Sequence, residues 1–387
     1  MTTKIIGGNA YTPSGVIKDA TIIINDGKIT EISNTNIDIA EAKVIDAKGM
    51  NVVPGGIELH IHGGAGRDYM EGKEDAFREA IAAHMQHGTT AIYPTLSSSS
   101  PAMIKEAAIT CEKLMAEPGS PVMGLHLEGP YFSQAMAGAQ MPEYITPPIK
   151  EDYEDILTTT HSIKRWDAAP ELPGIEEFGK YLTSHGILAA IAHTNGEYED
   201  VKRAHAAGFS HATHFYNAMS GVHKKREFKF AGVIESVFTF PDMTVEMIAD
   251  GIHVPSTILK MIYMFKGVEK TALITDALAC SASNSTSGFF DPRVIIEDGV
   301  CKLADRSALA GSIATMDRLI KTAVDKAEIP FADAVRMSSE TPATIMHIND
   351  RKGSLKKGYD ADICFYDSDI NLQFVMQAGK VIELVRS

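Results

Sequence analysis

Cysteine is scarce in this chain. Cys111, Cys280, Cys301 and Cys364 are the four in 387 residues, and they are widely separated. That scatter excludes a dense disulfide framework and a paired-cysteine metal motif. Cationic side chains are also in deficit: 36 Lys and Arg stand against 50 Asp and Glu, a formal net charge of -14. Such a balance disfavours non-specific binding to nucleic acid or to anionic membrane, so an anionic ligand has to meet a local cationic pocket. No apolar run approaches the roughly 20 residues of a transmembrane helix, and Met1 to Ala10 lacks the basic-then-apolar pattern of a signal peptide. There is no GxGxxG dinucleotide loop after the first predicted strand and no GxSxG nucleophile elbow. These absences predict a cytoplasmic protein with no nucleic-acid partner, no membrane partner and no serine or cysteine nucleophile.

What is present is an ordinary globular mix, 44% hydrophobic and 22% charged, long enough for a large domain and a small one. The ends read as β material. Ala20 to Ile24 and Lys28 to Ile32 flank an Asn25-Asp26-Gly27 turn, and Asp362 to Tyr366, Leu372 to Met376 and Val381 to Val385 repeat the style. The middle alternates strands with helices. Strands are expected at Met50 to Leu59, Thr89 to Pro94, Val122 to Leu127, Arg165 to Ala168, Ile187 to Ala192, Phe209 to Thr213, Thr244 to Ile248 and Thr271 to Ile274. Helical patterns such as Glu74 to His87 and Pro101 to Glu117 lie between them. Eight such units suit a (β/α)₈ TIM barrel. The expected division is a small β domain from residues 1–53 and 350–387, with a catalytic barrel over 54–349 inserted in it.

Metal-capable side chains fall at the ends of the predicted strands. His60 and His62 close the first, Glu128 the third, His193 the fifth, His214 the sixth and Asp276 the eighth. In a barrel these ends surround one mouth. Residues two apart in an extended segment point the same way, so His60 and His62 can reach one ion. An HxH pair alone arises easily by chance, and one carboxylate at a strand end can be a helix cap. Six such residues at five strand ends are harder to set aside. Imidazole and carboxylate without thiolate suit Zn²⁺, Fe²⁺, Mn²⁺ or Co²⁺. His126 and His211 read as buried core residues, and His84, His87, His161, His185, His205 and His347 as packing or surface residues.

The motifs Pro54-Gly55-Gly56-Ile57-Glu58-Leu59-His60-Ile61-His62, His126-Leu127-Glu128-Gly129-Pro130, His193-Thr194, His214-Phe215-Tyr216-Asn217-Ala218-Met219, Asp250-Gly251-Ile252-His253, Thr275-Asp276-Ala277 and Leu309-Ala310-Gly311-Ser312 occur in order. Together the chain resembles the amidohydrolase superfamily, and within it the family of N-acetylglucosamine-6-phosphate deacetylases. The resemblance implies a metal-bearing barrel with a small β-sandwich from both termini, and a homodimer or higher homo-oligomer. It implies Glu128, His193 and His214 as ligands of a principal divalent ion and His60 and His62 as ligands of a second, one or two ions per chain. It implies Asp276 as acid/base, His253 as the group that polarises the acetyl carbonyl, and Ala139, Gln140, Asn217, Ala218, Leu309, Ala310 and Gly311 as sugar-phosphate contacts. Arg226 resembles the phosphate-binding arginine, which in the family reaches a neighbouring subunit's site.

Two departures stand out. Gln140 occupies a position where many members carry His, and the run His223-Lys224-Lys225-Arg226-Glu227 is one residue longer than usual, so Lys225 competes with Arg226. Ser281 to Ser287 reads as a lid or as a plain surface loop. The implied reaction is hydrolysis of an acetylated sugar phosphate. The rival readings are deacetylation of the galactosamine isomer, another amidohydrolase such as a cyclic-amide hydrolase or a deaminase, and a non-catalytic assembly protein. The cyclic-amide hydrolases often bridge two metals with a carboxylated lysine, and Glu128 stands at that strand end instead. An assembly protein would be expected to have lost ligands, and none is lost.

Overall fold

Why the middle of the chain curls into a closed wall follows from how its segments alternate. A computed structural model describes residues 2–283 and 291–384. Within them Gly56–Ile61, Thr89–Leu96, Leu125–Glu128, Ile163–Ala168, Leu188–Ile191, Phe209–Ala212, Thr244–Met247 and Thr271–Leu273 pair in chain order as barrel strands 1 to 8. All seven neighbouring pairs are parallel. The two edges meet at the mouth through an Ile61–Ala277 bridge and the bond from Asp276 N–H to His60 O at 2.9 Å. A helix follows each strand, from Glu74–Met85 after strand 1 to Met316–Ala327 after strand 8.

The helices form for local reasons and stay for tertiary ones. Pro101–Met115 begins where Ser100 Oγ accepts the Met103 N–H at 3.4 Å, with Pro101 preset for the first turn. Its Ile104, Ala107, Ala108, Cys111 and Leu114 recur at three- and four-residue spacing and are buried. That face packs with outward-facing strand residues such as Ile92, Leu125 and Leu127 in the main core.

One sequence expectation changes. Met50 to Leu59 is two strands, not one: Asn51–Pro54 belongs to the terminal sheet and Gly56–Ile61 opens the barrel. The switch is made at Gly55, whose N–H goes to Asp362 O at 2.9 Å and where a Cβ would stand 2.2 Å from Thr90 Oγ1. Hydrophobicity is continuous across the switch, so the pattern alone reads as a single strand.

The termini build one continuous eight-stranded sheet. Thr2–Thr12 lies between Gly15–Asn25 on one side and both Lys43–Asp46 and Asn51–Pro54 on the other; Ile363–Tyr366 then pairs with Asn51–Pro54. Ile5, Ile22, Ile24, Ile29, Val52, Ile363, Phe365 and Met376 give this sheet a core of its own.

Candidate metal centre

Three of the candidate residues sit in backbone that L-residues seldom adopt. His193, His214 and Asp276 have φ of 44°, 27° and 49° at the ends of strands 5, 6 and 8. Each such residue costs on the order of 1–3 kcal/mol and persists only where its surroundings hold it. His214 is held by its N–H to Glu246 Oε2 at 3.0 Å, and Asp276 by its N–H to His60 O. The turn after each strand thereby aims the side chain across the mouth.

Two groups result, His60–His62–Asp276 and Glu128–His193–His214, all buried. They share the Glu128 carboxylate. Its Oε1 lies 3.0 Å from both His193 Nε2 and His214 Nε2, and 3.6 Å from His60 Nε2; its Oε2 lies 3.3 Å from His62 Nε2. Asp276 Oδ1 is 3.5 Å from His60 Nε2 and 3.3 Å from His62 Nε2.

The histidines are prepared as ligands from behind. His60 Nδ1 donates to Glu246 Oε2 at 3.2 Å and His193 Nδ1 to Met136 O at 2.8 Å, while His62 Nδ1 meets Ser97 Oγ at 3.2 Å. An acceptor at Nδ1 leaves the Nε2 lone pairs of His60 and His193 to point inward, while His214 Nδ1 has no partner among the described residues. The Nε2 atoms face each other at 3.3 Å between His60 and His62 and at 3.1 Å between His193 and His214. Neutral rings so placed repel unless a cation stands among them, and the donor set therefore fits a divalent ion in each group.

The electrostatics say the same. Burial alone would raise Glu128, yet the His60, His193 and His214 rings outweigh it and hold the carboxyl well below the usual range. Burial pushes His62 down, but Asp276 and Glu128 carry it up to about 9. The site calls for positive charge at these nitrogens, supplied by a proton or by a metal ion.

A cavity of about 450 Å³ opens over these groups. His253, Ala139, Gln140, Asn217, Ala218, Leu309, Ala310 and Gly311 all line it. His253 Nδ1 donates to Asp250 Oδ2 at 2.7 Å. Burial lowers the imidazole, Asp250 more than compensates, and the ring sits above its ordinary value, with no hydrogen-bond partner for Nε2 among the described residues. Gln140 turns toward the metal groups: Nε2 donates to Glu128 Oε2 at 2.6 Å while Oε1 accepts the Ser98 N–H at 2.7 Å. Lys225 and Arg226 do not line this cavity. Lys225 pairs with Glu197 at 2.5 Å, and Arg226 stands in the turn of the exposed hairpin His223–Lys225 and Phe228–Phe230. The segment Ser281 to Ser287, read from the sequence as a lid or a plain surface loop, lies, beyond Ser283, outside the described residues.

Sequence reasoning passed over Glu246, Asp250 and Arg293. Arg293 lines the cavity and is bound by Asp291 through both Nε and Nη2. Asp250 lay within the DGxH motif and could have been found there. Glu246 in Val245-Glu246-Met247 carries a signal, a lone carboxylate inside an apolar strand, that is only informative once the strand is known to line the barrel.

A parallel barrel with two His–carboxylate groups sharing one glutamate at its C-terminal mouth defines a class, the barrel hydrolases built to hold divalent metal. The chain belongs to the amidohydrolase family, whose model matches residues 51–386. It is 31% identical over 377 residues to the N-acetylglucosamine-6-phosphate deacetylase of Bacillus subtilis, covering 96% of this chain and 94% of that one. It is 28% identical to the N-acetylgalactosamine-6-phosphate deacetylase of Escherichia coli O157:H7, over 98% of this chain and 99% of the relative. The crystal structure of the N-acetylglucosamine-6-phosphate deacetylase from Pasteurella multocida superposes with a TM-score of 0.93 at 26% identity, over 98% and 99% of the two chains.

Proposed function

We propose that the protein hydrolyses the acetamide of N-acetylglucosamine 6-phosphate to acetate and glucosamine 6-phosphate. The observation that carries this reading is the convergence of two His–carboxylate groups on one cavity that Asp276 and His253 also line. Relatives of that activity match nearly the whole chain.

Glu128, His193 and His214 would hold a principal ion, and His60 and His62 a second. When bound, a divalent cation supplies a Lewis acid that polarises a carbonyl oxygen and acidifies water. Zn²⁺, Fe²⁺, Mn²⁺ and Co²⁺ all suit the donors. Asp276 takes a proton from the attacking water and returns it to the leaving amine nitrogen. His253, oriented by Asp250, would in its protonated form donate from Nε2 to the acetamide oxygen as negative charge develops there. Asn217, Ala218 and Leu309 to Gly311 surround the sugar. The phosphate would meet Arg226 of a neighbouring copy, because Arg226 does not reach its own cavity.

The galactosamine epimer is the second reading, favoured by the Escherichia coli relative. Metal analysis of the purified protein, with acetate release measured on both 6-phosphate epimers and on unphosphorylated N-acetylglucosamine, tests the proposal. The expected result is bound divalent metal and highest kcat/KM on the glucosamine epimer. Turnover of neither acetylated sugar phosphate by metal-loaded protein overturns it. For the ion count, the double change His60→Asn with His62→Asn is expected to lower two bound ions per chain toward one and leave some activity.

A further inference from the structure

The barrel interior beneath the metal groups holds a buried ionic layer that the proposed reaction does not use. Arg165 on strand 4 and Glu246 on strand 7 are fully buried and ion-paired through Arg165 Nη1 and Glu246 Oε1. Arg165 also donates from Nε to Asp167 Oδ1 at 3.1 Å and from Nη2 to Thr213 Oγ1 at 2.7 Å. Asp167 Oδ2 takes the Thr213 hydroxyl at 2.7 Å and faces His126 Nε2 at 3.0 Å.

A fully buried carboxylate is costly to keep unless it is paired and hydrogen-bonded. Arg165 satisfies one oxygen of Glu246. The other, Oε2, has two partners, and each belongs to a different metal group: the Nδ1–H of His60 at 3.2 Å and the backbone N–H of His214 at 3.0 Å. One oxygen thus fixes the tautomer of His60 and the left-handed turn that aims His214, whose φ is 27°.

We infer that Glu246 is a positioning residue for the metal centre, coupling its two groups through a single oxygen that Arg165 holds in place. The inference rests on the metal reading above. It assigns Glu246 no contact with substrate. Its chemistry is the general one in which a carboxylate behind a ligating imidazole fixes the ring and raises its basicity.

Replacing Glu246 separates this from a purely structural role. In Glu246→Gln the amide presents either its oxygen or its NH₂ to His60. With the NH₂ toward His60, the ring is driven to the tautomer that carries hydrogen on Nε2 and loses that lone pair. With the oxygen toward His60, the NH₂ meets the Arg165 guanidinium, donor against donor. Glu246→Asp keeps the charge opposite Arg165 but withdraws the carboxylate by one methylene. It serves as the second variant should Glu246→Gln fail to fold.

The measurements are Zn²⁺ and Co²⁺ affinity by chelator competition, ions per chain by elemental analysis, the Co²⁺ visible spectrum, and thermal melting of the apo proteins. We expect metal binding about 10–100-fold weaker in Glu246→Asp and in folded Glu246→Gln. We also expect an altered Co²⁺ spectrum, a fall in kcat at unchanged KM, and an apo melting temperature for Glu246→Asp near that of the wild type. Wild-type affinity, stoichiometry and spectrum in the folded variants would overturn the inference and leave the metal reading standing. A wild-type protein that takes up neither ion after loading would instead remove the metal reading itself.

Discussion

The barrel interior and the terminal sheet both have buried cores, built on different terms. The terminal core is mostly apolar: Ile5, Ile22, Val52, Ile363, Phe365 and Met376 belong to one cluster, no histidine occurs in residues 1–53 or 350–387, and a buried ion pair there joins Lys352 to Asp362 at 2.5 Å, beside the start of Ile363–Tyr366. The barrel interior has apolar residues early on its strands, Ile57 and Leu59 on strand 1 and Ala272 on strand 8. Toward the mouth it carries Arg165, Asp167, His126, His211 and Glu246, all fully buried. Hydrophobic burial stabilises without direction, whereas a buried ionic layer is paired, directional and expensive. The terminal sheet contributes stability, and the layer near the mouth spends part of it on holding six side chains in one arrangement.

That contrast predicts which damage is chemical and which is thermodynamic. The largest effect is expected at the mouth. Asp276→Asn keeps the shape of the side chain but cannot accept a proton, so kcat should fall about 10²–10⁴-fold with metal retained. Near-normal kcat by acetate release would mean another group is the acid/base.

Phe365→Ala attacks the other region. Phe365 is fully buried and stacks on Phe374 at 3.8 Å between centroids. The truncation should cost about 3–5 kcal/mol of unfolding free energy while kcat per folded molecule and ions per chain stay unchanged. Denaturant titration with parallel metal analysis measures both; loss of metal in folded protein would erase the division.

Acid should loosen the barrel first. Burial, with His87 nearby, depresses His84 to about 4, and burial, with Arg165 nearby, does the same for His126. Between about pH 6.5 and 4 the unfolded chain therefore binds more protons than the folded one. Stability is full above about 6.5 and falls by about 1.4 kcal/mol per pH unit for each such histidine as pH drops toward 4. Amide exchange at pH 5 against pH 7 should rise in barrel peptides around these residues and not in terminal-sheet peptides. Equal acceleration in both would assign the acid lability elsewhere.

The smallest effect is expected outside both cores. Arg226→Ala should raise KM for the 6-phosphate sugar about 10–100-fold, the range of one hydrogen bond to a charged group, and barely change hydrolysis of the unphosphorylated sugar. Mixing it with Asp276→Asn protein tests the neighbouring-copy contact, since hybrid oligomers should recover phosphate-dependent activity. No recovery would confine the phosphate contact to one chain, with Arg293 the next residue to change.

Composition, strand–helix alternation and the positions of His60, His62, Glu128, His193, His214 and Asp276 were legible in the chain itself. The reason is local: each of these residues follows a short apolar run, and in a parallel barrel every such run ends at the same mouth. What the tertiary structure alone decided was how those residues are held. One apolar stretch divides between two sheets at Gly55, where Thr90 leaves no room for a Cβ. Gln140 clasps Glu128, and Glu246, 186 residues from His60, stands behind its ring. Contacts between strands so far apart in sequence leave no periodic trace along the chain. They arise only when the barrel closes and buried charges must find partners in the low-dielectric interior.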